Sequence, residues 1–246
     1  MELVRGAVFD LDDTLYLERD YALSGFRYVA ATIGGDGCAA ERILRFLQSG
    51  FEAGVRGNAF DCLVAEYPEL GLRWNVGDLV EMYRSHKPVI QLLPGMSYLL
   101  QGLKSKGIRL ALITDGSVAA QSNKAAALKL GKLFAPILVT DAWGMEFRKP
   151  HGRAYEAVME IWNIPPTQLI YIGDNPEKDF CAPRALGWHT ARLRLEQQLR
   201  HDLEARLPEF AADREFRTLG DLAAWLYAAC DLAVIEGADE RTWQLK

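Results

Sequence analysis

Apolar and polar positions along the chain follow three different rhythms. Ala7-Val8-Phe9 is a short apolar run that stops abruptly at Asp10-Leu11-Asp12-Asp13-Thr14. Runs of this kind, bounded by polar turn residues, suit a strand buried in a parallel sheet. From residue 16 to about 90 the rhythm is helical. Leu23, Phe26, Ala30 and Ile33 share one face, and Gly34-Gly35-Asp36-Gly37 interrupts it. Ile43, Leu44, Leu47 and Phe51 form a second stripe, and Phe60, Leu63, Val64 and Tyr67 a third. Pro68 and Gly71 punctuate, and a fourth helix is expected from about Gly77 to His86.

From Met96 the two rhythms alternate. A helix over Met96–Lys106 ends at Gly107, and Arg109–Ile113 is an apolar strand leading into Thr114-Asp115-Gly116. An Ala-rich helix from about Ser117 to Leu130 stops at Gly131. Pro136–Thr140 is a third strand and Arg153–Trp162 a helix with Tyr155, Val158, Met159 and Trp162 inward. Leu169–Ile172 is a fourth strand that enters Gly173-Asp174-Asn175-Pro176. A short helix then runs to Gly187, and Trp188–Leu193 is a fifth strand. A charged surface helix is expected over Glu196–Leu207 and an amphipathic one over Leu219–Leu232; residues 236–246 carry no clear signal. Strands alternating with helices imply right-handed crossovers. The expected fold is α/β: a Rossmann-like parallel sheet core covered by helices, with an inserted all-helical domain. Residues 1–15 and 91–235 form the core, 16–90 the insertion and 236–246 a C-terminal tail.

Composition changes this picture little. The chain has 246 residues, half of them hydrophobic, and a net charge of −5 from 28 basic and 33 acidic side chains. That mild acidic balance argues against a nucleic-acid polymer as partner. Cys38, Cys62, Cys181 and Cys230 have no metal-type spacing and read as reduced thiols of a cytoplasmic protein. No leader-type apolar region precedes Asp10 and no apolar run reaches membrane-spanning length, so no membrane partner is expected.

The chemistry lies at the predicted strand ends, where open α/β sheets bind ligands. Asp10 and Asp12 are two apart, so an extended backbone turns both carboxylates to one side. They repel unless a cation lies beside them, and a hard divalent ion such as Mg²⁺ prefers such oxygens. Thr114 and Asp115 follow the second strand, Lys149 the third, and Asp174 the fourth, with Asp179 five residues on. Each motif alone has a plain explanation. Asp13 or Thr14 caps a helix, Thr114-Asp115-Gly116 opens one, Lys149 is a solvated lysine and Gly173–Pro176 is a turn. Their common placement at strand ends, in this order, is hard to explain that way.

This pattern resembles the haloacid dehalogenase-like hydrolase superfamily, whose motifs are Asp-x-Asp-x-Thr, Ser or Thr after the second strand, Lys, and Gly-Asp with a further acid. Asp10–Thr14, Thr114, Lys149 and Gly173-Asp174…Asp179 match position by position. The helical segment 16–90 corresponds to the superfamily's C1-type cap. The resemblance implies Asp10 as nucleophile forming an aspartyl-phosphate and Asp12 as general acid and then base. It implies Mg²⁺ held by Asp10, the Asp12 carbonyl and Asp174, with Asp179 orienting the site. Thr114 and Lys149 would hold the phosphoryl group, cradled by the backbone N–H groups of Leu11 and Asp115. The second Asp separates phosphatases from dehalogenases, so the implied enzyme is a phosphatase or 5′-nucleotidase of a small phosphorylated metabolite, a nucleoside monophosphate or a sugar phosphate. A phosphosugar mutase of the same superfamily, an aspartyl-phosphate receiver and a scaffold without turnover remain as alternatives, and the protein is expected to be a monomer or homodimer. Arg19, Tyr21, Arg27, Arg56 and the Tyr83-Arg84-Ser85-His86-Lys87 run are the candidates for substrate choice. Trp143 and Phe147, near Lys149, are expected mainly to pack.

Overall fold

The computed structural model describes residues 2–35 and 37–232; the C-terminal tail expected over 236–246 lies outside them. The chain runs β1 (Gly6–Phe9), α1 (Glu18–Gly34), α2 (Cys38–Glu52), α3 (Ala59–Glu66), α4 (Pro68–Gly71), α5 (Val76–Ser85), α6 (Met96–Ser105) and β2 (Arg109–Thr114). It continues through α7 (Val118–Ala127), β3 (Ile137–Val139), α8 (Arg153–Trp162), β4 (Leu169–Gly173), α9 (Cys181–Ala185), β5 (His189–Leu193), β6 (Arg214–Phe216) and α10 (Leu219–Ala229).

The six strands form one parallel sheet in the order β3-β2-β1-β4-β5-β6. Every residue of β1 and β4 is buried, as strands covered on both faces must be. Alternate residues serve opposite layers. Ala7, Phe9, Leu110, Leu112, Ile170 and Ile172 pack with residues of α6, α7 and α10. Val8, Ala111, Ile113, Leu169 and Tyr171 pack with α8 and α9. Helices α1 to α5 enclose a separate cluster around Phe26, Val29, Leu47, Phe60, Leu63 and Leu79. Helix α5 starts where Asn75 and Asp78 close a capping box, each side chain accepting the other's backbone N–H.

Three expectations are corrected. Residues 214–216 form a sixth strand; its Arg and Glu are exposed at the sheet edge, where charged residues are common and apolar alternation is absent. Residues 196–207 are turns rather than a helix. Side-chain hydrogen bonds anchor this segment in place of helical ones. Gln198 accepts from Leu195 N at 2.6 Å and donates to Leu193 O and Asp13 O. Arg192 donates to Arg200 O, and Arg194 to His201 O. Asp13, at φ +55°, accepts from Glu18 N at 2.7 Å and Leu199 N at 2.8 Å, fastening the loop after β1 to both α1 and this segment. The Ala-rich helix α7 also ends earlier than expected, at Ala127, before a short 3-10 turn over Leu130–Lys132.

Gln198→Ala removes the partners of two carbonyls and one N–H at once. Each buried group so exposed costs about 1–3 kcal/mol, so the variant should lose at least ~1 kcal/mol in urea denaturation. An unchanged midpoint would mean that this segment contributes nothing to the fold.

Candidate active site

Strands β2, β1 and β4 are neighbours, and each ends in one chemical group. Thr114 closes β2, Asp10 follows β1 and Asp174 follows β4. The chain turns from β1 outward to β2 and β3, then returns to the other side of β1 at β4. That reversal opens a crevice at the carboxyl ends of the strands.

Lys149 is the centre of the charge arrangement. Its ammonium is fully buried and donates to Asp10 Oδ1 at 2.6 Å, Asp179 Oδ1 at 2.7 Å and Tyr171 Oη at 2.9 Å. Its backbone N–H donates to Asp115 Oδ1 at 3.0 Å, an oxygen that also accepts from Thr140 Oγ1. Burial favours the neutral amine, yet the facing carboxylates win and raise the ammonium's pKa well above its ordinary value. Burial pushes Asp10 up to about 6 against the pull of Lys149.

Asp10, Asp174 and Asp179 each direct a carboxylate oxygen to a common place, the three atoms lying within 4.8 Å of one another. All three residues are buried. Asp174 Oδ2 has no hydrogen-bond partner, and burial with the charges of Asp179 and Asp10 drives its pKa well above the ordinary carboxylate range. Lys149 bonds two of these carboxylates and Lys178 lies nearby on Asp115, so Asp10, Asp115, Asp174 and Asp179 still outnumber the cations and Asp174 keeps an orphaned oxygen, an arrangement that a hard divalent cation completes. Asp179 is fixed by Asn175 N–H at 2.9 Å. Gly173 lets it approach, since a Cβ there would lie 2.5 Å from Asp179 Oδ2. Arg192 Nε holds the Asp174 carbonyl at 2.8 Å.

Asp12 faces away from this cluster. Its Oδ1 accepts from Lys124 Nζ at 2.7 Å and from Tyr16 Oη, and its Oδ2 from Gln121 Nε2 at 2.9 Å. The same Gln121 nitrogen donates to Thr114 Oγ1. Burial raises the Asp12 pKa, but the Lys124 charge and these hydrogen bonds outweigh it and hold the carboxyl at about 2. Gly116, at φ +123°, makes the turn from β2 into α7 that carries Gln121 and Lys124 to this place.

Gln121, Lys124, Tyr16 and Lys178 escaped the sequence reading. Lys178 reaches Asp115 Oδ2 at 3.1 Å, and burial notwithstanding, Asp10, Asp179 and Asp115 raise its pKa. A signal for the first two existed: a polar pair three apart on the buried face of an Ala-rich helix. The substrate-choice candidates separate. Tyr21 is buried on α1, with its ring 4.1 Å from Lys124 Nζ. Arg56 and Arg84 line a cavity of about 500 Å³ with Phe26, Phe51, Tyr83 and Arg200. Arg56 is also stacked on Phe51 at 3.8 Å. Arg19 and Arg27 are exposed on α1. His86 is not open to a ligand: it is buried, with Nδ1 2.6 Å from Tyr83 O and Nε2 3.2 Å from Ser24 Oγ. Trp143 and Phe147 pack under the guanidinium of Arg153.

The sequence profile of a family described as Haloacid dehalogenase-like hydrolase matches residues 7–193. The chain is 24% identical over 136 residues to a glyceraldehyde 3-phosphate phosphatase of Pyrococcus furiosus, a match covering 55% of this chain and 56% of that enzyme. It therefore spans little more than half the length of that relative. A glyceraldehyde 3-phosphate phosphatase of Methanocaldococcus jannaschii is 24% identical over 196 residues, 78% of this chain and 85% of that one. In fold, the chain is similar to the HAD-hydrolase YfnB from Bacillus subtilis, solved bound to magnesium. The TM-score is 0.64 at 22% identity, over 92% of this chain and 99% of that one.

Replacing Lys149 by Met keeps the volume and removes the charge. Breaking a buried ion pair from one side costs about 3–5 kcal/mol. Lys149→Met should lose this much in urea denaturation at pH 7.5 in metal-free buffer. The deficit should shrink as pH falls, because the abandoned carboxyls take up protons. A deficit under ~1 kcal/mol at pH 7.5 would show that Lys149 does not neutralise this cluster.

Proposed function

The chain belongs to the haloacid dehalogenase-like hydrolase family, and from that premise we propose that it is a Mg²⁺-dependent phosphomonoester hydrolase acting on a small phosphorylated metabolite. The observation that carries this reading is the buried Lys149 bonded to Asp10 and Asp179, with Asp174 converging on the same place and a fourth carboxylate, Asp12, held apart beside Thr114. A dehalogenase reading gives Asp12 no task, whereas phosphoryl transfer to and from an alcohol needs a proton donor and acceptor. The two named relatives support this class, and their names favour a sugar phosphate over a nucleotide.

Asp10 attacks phosphorus with the oxygen that Lys149 leaves free, forming an aspartyl-phosphate and splitting one difficult hydrolysis into two steps. Lys149, the Thr114 hydroxyl and the backbone N–H groups of Leu11 and Asp115 hold the phosphoryl oxygens. Asp12, an anion before substrate binds, takes up a proton as the substrate's phosphate charge arrives beside it, gives that proton to the departing alcohol oxygen and later accepts one from the water that attacks the phospho-aspartate. Asp10, Asp174 and the Asp12 carbonyl, with Asp179 orienting the site, would hold Mg²⁺, which would supply the positive charge that offsets these carboxylates against the phosphoryl group. Residues 16–90 serve as a cap whose closure excludes water. Arg56 and Arg84, on the cavity beside it, are suited to a second acidic group of the substrate.

Three measurements test the proposal together. The protein should release inorganic phosphate from a panel of small phosphate monoesters only with Mg²⁺, and chelation should abolish the activity. Asp10→Asn should reduce turnover at least ~10³-fold while leaving the unfolding free energy within ~1 kcal/mol, since Lys149 keeps Asp179 as a charged partner and the isosteric amide relieves surplus negative charge. Undiminished activity in this variant would remove Asp10 from the chemistry. Rearranged substrate without free phosphate would point to a mutase.

A further inference from the structure

The grip on Asp12 is more elaborate than a stray surface carboxylate requires. Lys124 is itself buried, its side chain 7% exposed, and among the described residues its one carboxylate partner is Asp12. The ammonium sits between that carboxylate and the face of the Tyr21 ring, so it is held from the side of helix α1 as well as from the core. Tyr16 occupies the same carboxylate oxygen as Lys124, and Gln121 takes the other while bonding Thr114. Asn123, between these two residues on α7, donates to the carbonyls of Ser85 at 2.9 Å and His86 at 3.1 Å, where α5 ends and the chain returns to the core. One helical segment therefore touches Asp12, Thr114 and the end of the helical insertion.

We propose that Lys124 is a positioning residue for proton transfer: its ion pair with Asp12, braced by Tyr16 and Tyr21, fixes where the Asp12 carboxyl stands relative to the leaving-group oxygen. This rests on the reading of Asp12 as acid and base. The pair acts on position rather than on proton affinity: a bare aspartate has two free torsions, proton transfer demands hydrogen-bond distance to the reacting oxygen, and Asp12 takes up its proton only as the substrate's phosphate charge opposes the pull of Lys124. A charge-assisted bond is also about twice as strong as a neutral one, so it narrows the carboxyl's range more than Gln121 alone. Gln121 remains free to release Asp12 Oδ2 to the substrate oxygen, since it keeps Thr114 as a partner. Lys124 does not touch the phosphoryl group in this scheme. Its loss should therefore penalise leaving groups in proportion to their need for a proton.

The test compares two esters through kcat/KM, which reports events up to departure of the leaving group and is blind to the later water step. Nitrophenolate leaves from p-nitrophenyl phosphate without a proton; the alkoxide of glycerol phosphate does not. Lys124→Met should lower kcat/KM for glycerol phosphate roughly 10- to 100-fold, a share of the ~10²–10⁴ that acid catalysis supplies. For p-nitrophenyl phosphate the fall should stay within about 3-fold, and Lys124→Arg should restore most of the loss. Because the water step needs Asp12 with either ester, kcat of Lys124→Met should fall for both. Should Lys124→Met unfold at the assay temperature, Lys124→Gln is read by the same ratio. Equal falls in kcat/KM for the two esters would assign Lys124 to fold maintenance or phosphoryl binding and overturn the proposal, as would no fall in either. Absence of phosphate release from both esters by the unaltered protein would overturn the phosphatase reading itself, and this assignment with it.

Discussion

A buried ammonium facing more carboxylates than it can neutralise is the constraint on which the rest of this structure depends. Lys149 bonds Asp10 and Asp179 at 2.6 and 2.7 Å, while Asp174, equally buried, is left without a partner for one oxygen. Removing these groups from water is costly, and their attraction offsets the cost only where the geometry is good. The sheet provides that geometry. Strands β1 and β4 are adjacent with Phe9 opposite Ile172, so Asp10 and Asp174 leave neighbouring strand ends one residue out of step, and the close approach at Gly173 seats Asp179 against them. The cluster is stable enough to exist and unbalanced enough to want a cation, which is the state a phosphoryl-transfer site requires.

The second carboxylate of the first motif lives under a different regime. Asp10 and Asp12 are separated by one residue, yet burial dominates the first and pushes it up to about 6, while Lys124 and its hydrogen-bonded neighbours hold the second at about 2. Two like groups one residue apart thus meet opposite environments: without a bound cation, burial favours the protonated form of Asp10, while Lys124 keeps Asp12 ionised. Helix α7 is responsible for the difference. It starts at the Gly116 turn, presents Gln121 and Lys124 one turn apart, and reaches the end of the helical insertion through Asn123. The site and the insertion are thus joined by hydrogen bonds from a single element.

Much of the fold was legible because periodicity is a local property. The continuous apolar strands, the four long helices of residues 16–90 and helix α8 fall where the hydrophobic pattern places them. The reading failed where side chains replace backbone regularity. The charged stretch 196–207 has a helical composition, but Arg192 and Arg194 satisfy its Arg200 and His201 carbonyls from outside, and its own Gln198 is spent on Leu193, Leu195 and Asp13. Strand β6 has no apolar rhythm because it lies exposed at an edge. His86 read as a cleft residue, whereas Tyr83 and Ser24 engage both of its nitrogens in the interior.

By itself the sequence determined that carboxylates, a hydroxyl and a lysine stand at the ends of successive strands, because an apolar run ending in polar residues declares both the strand and its terminus. The tertiary structure alone decided which of those ends are neighbours. The order β3-β2-β1-β4 brings Thr114, Asp10 and Asp174 together, and strand order depends on contacts between residues more than a hundred positions apart. It alone decided also that Asp12 turns toward Lys124, 112 residues away, rather than toward Asp174. Local pattern tells a residue how its own backbone runs; only packing tells a charge which other charge it meets.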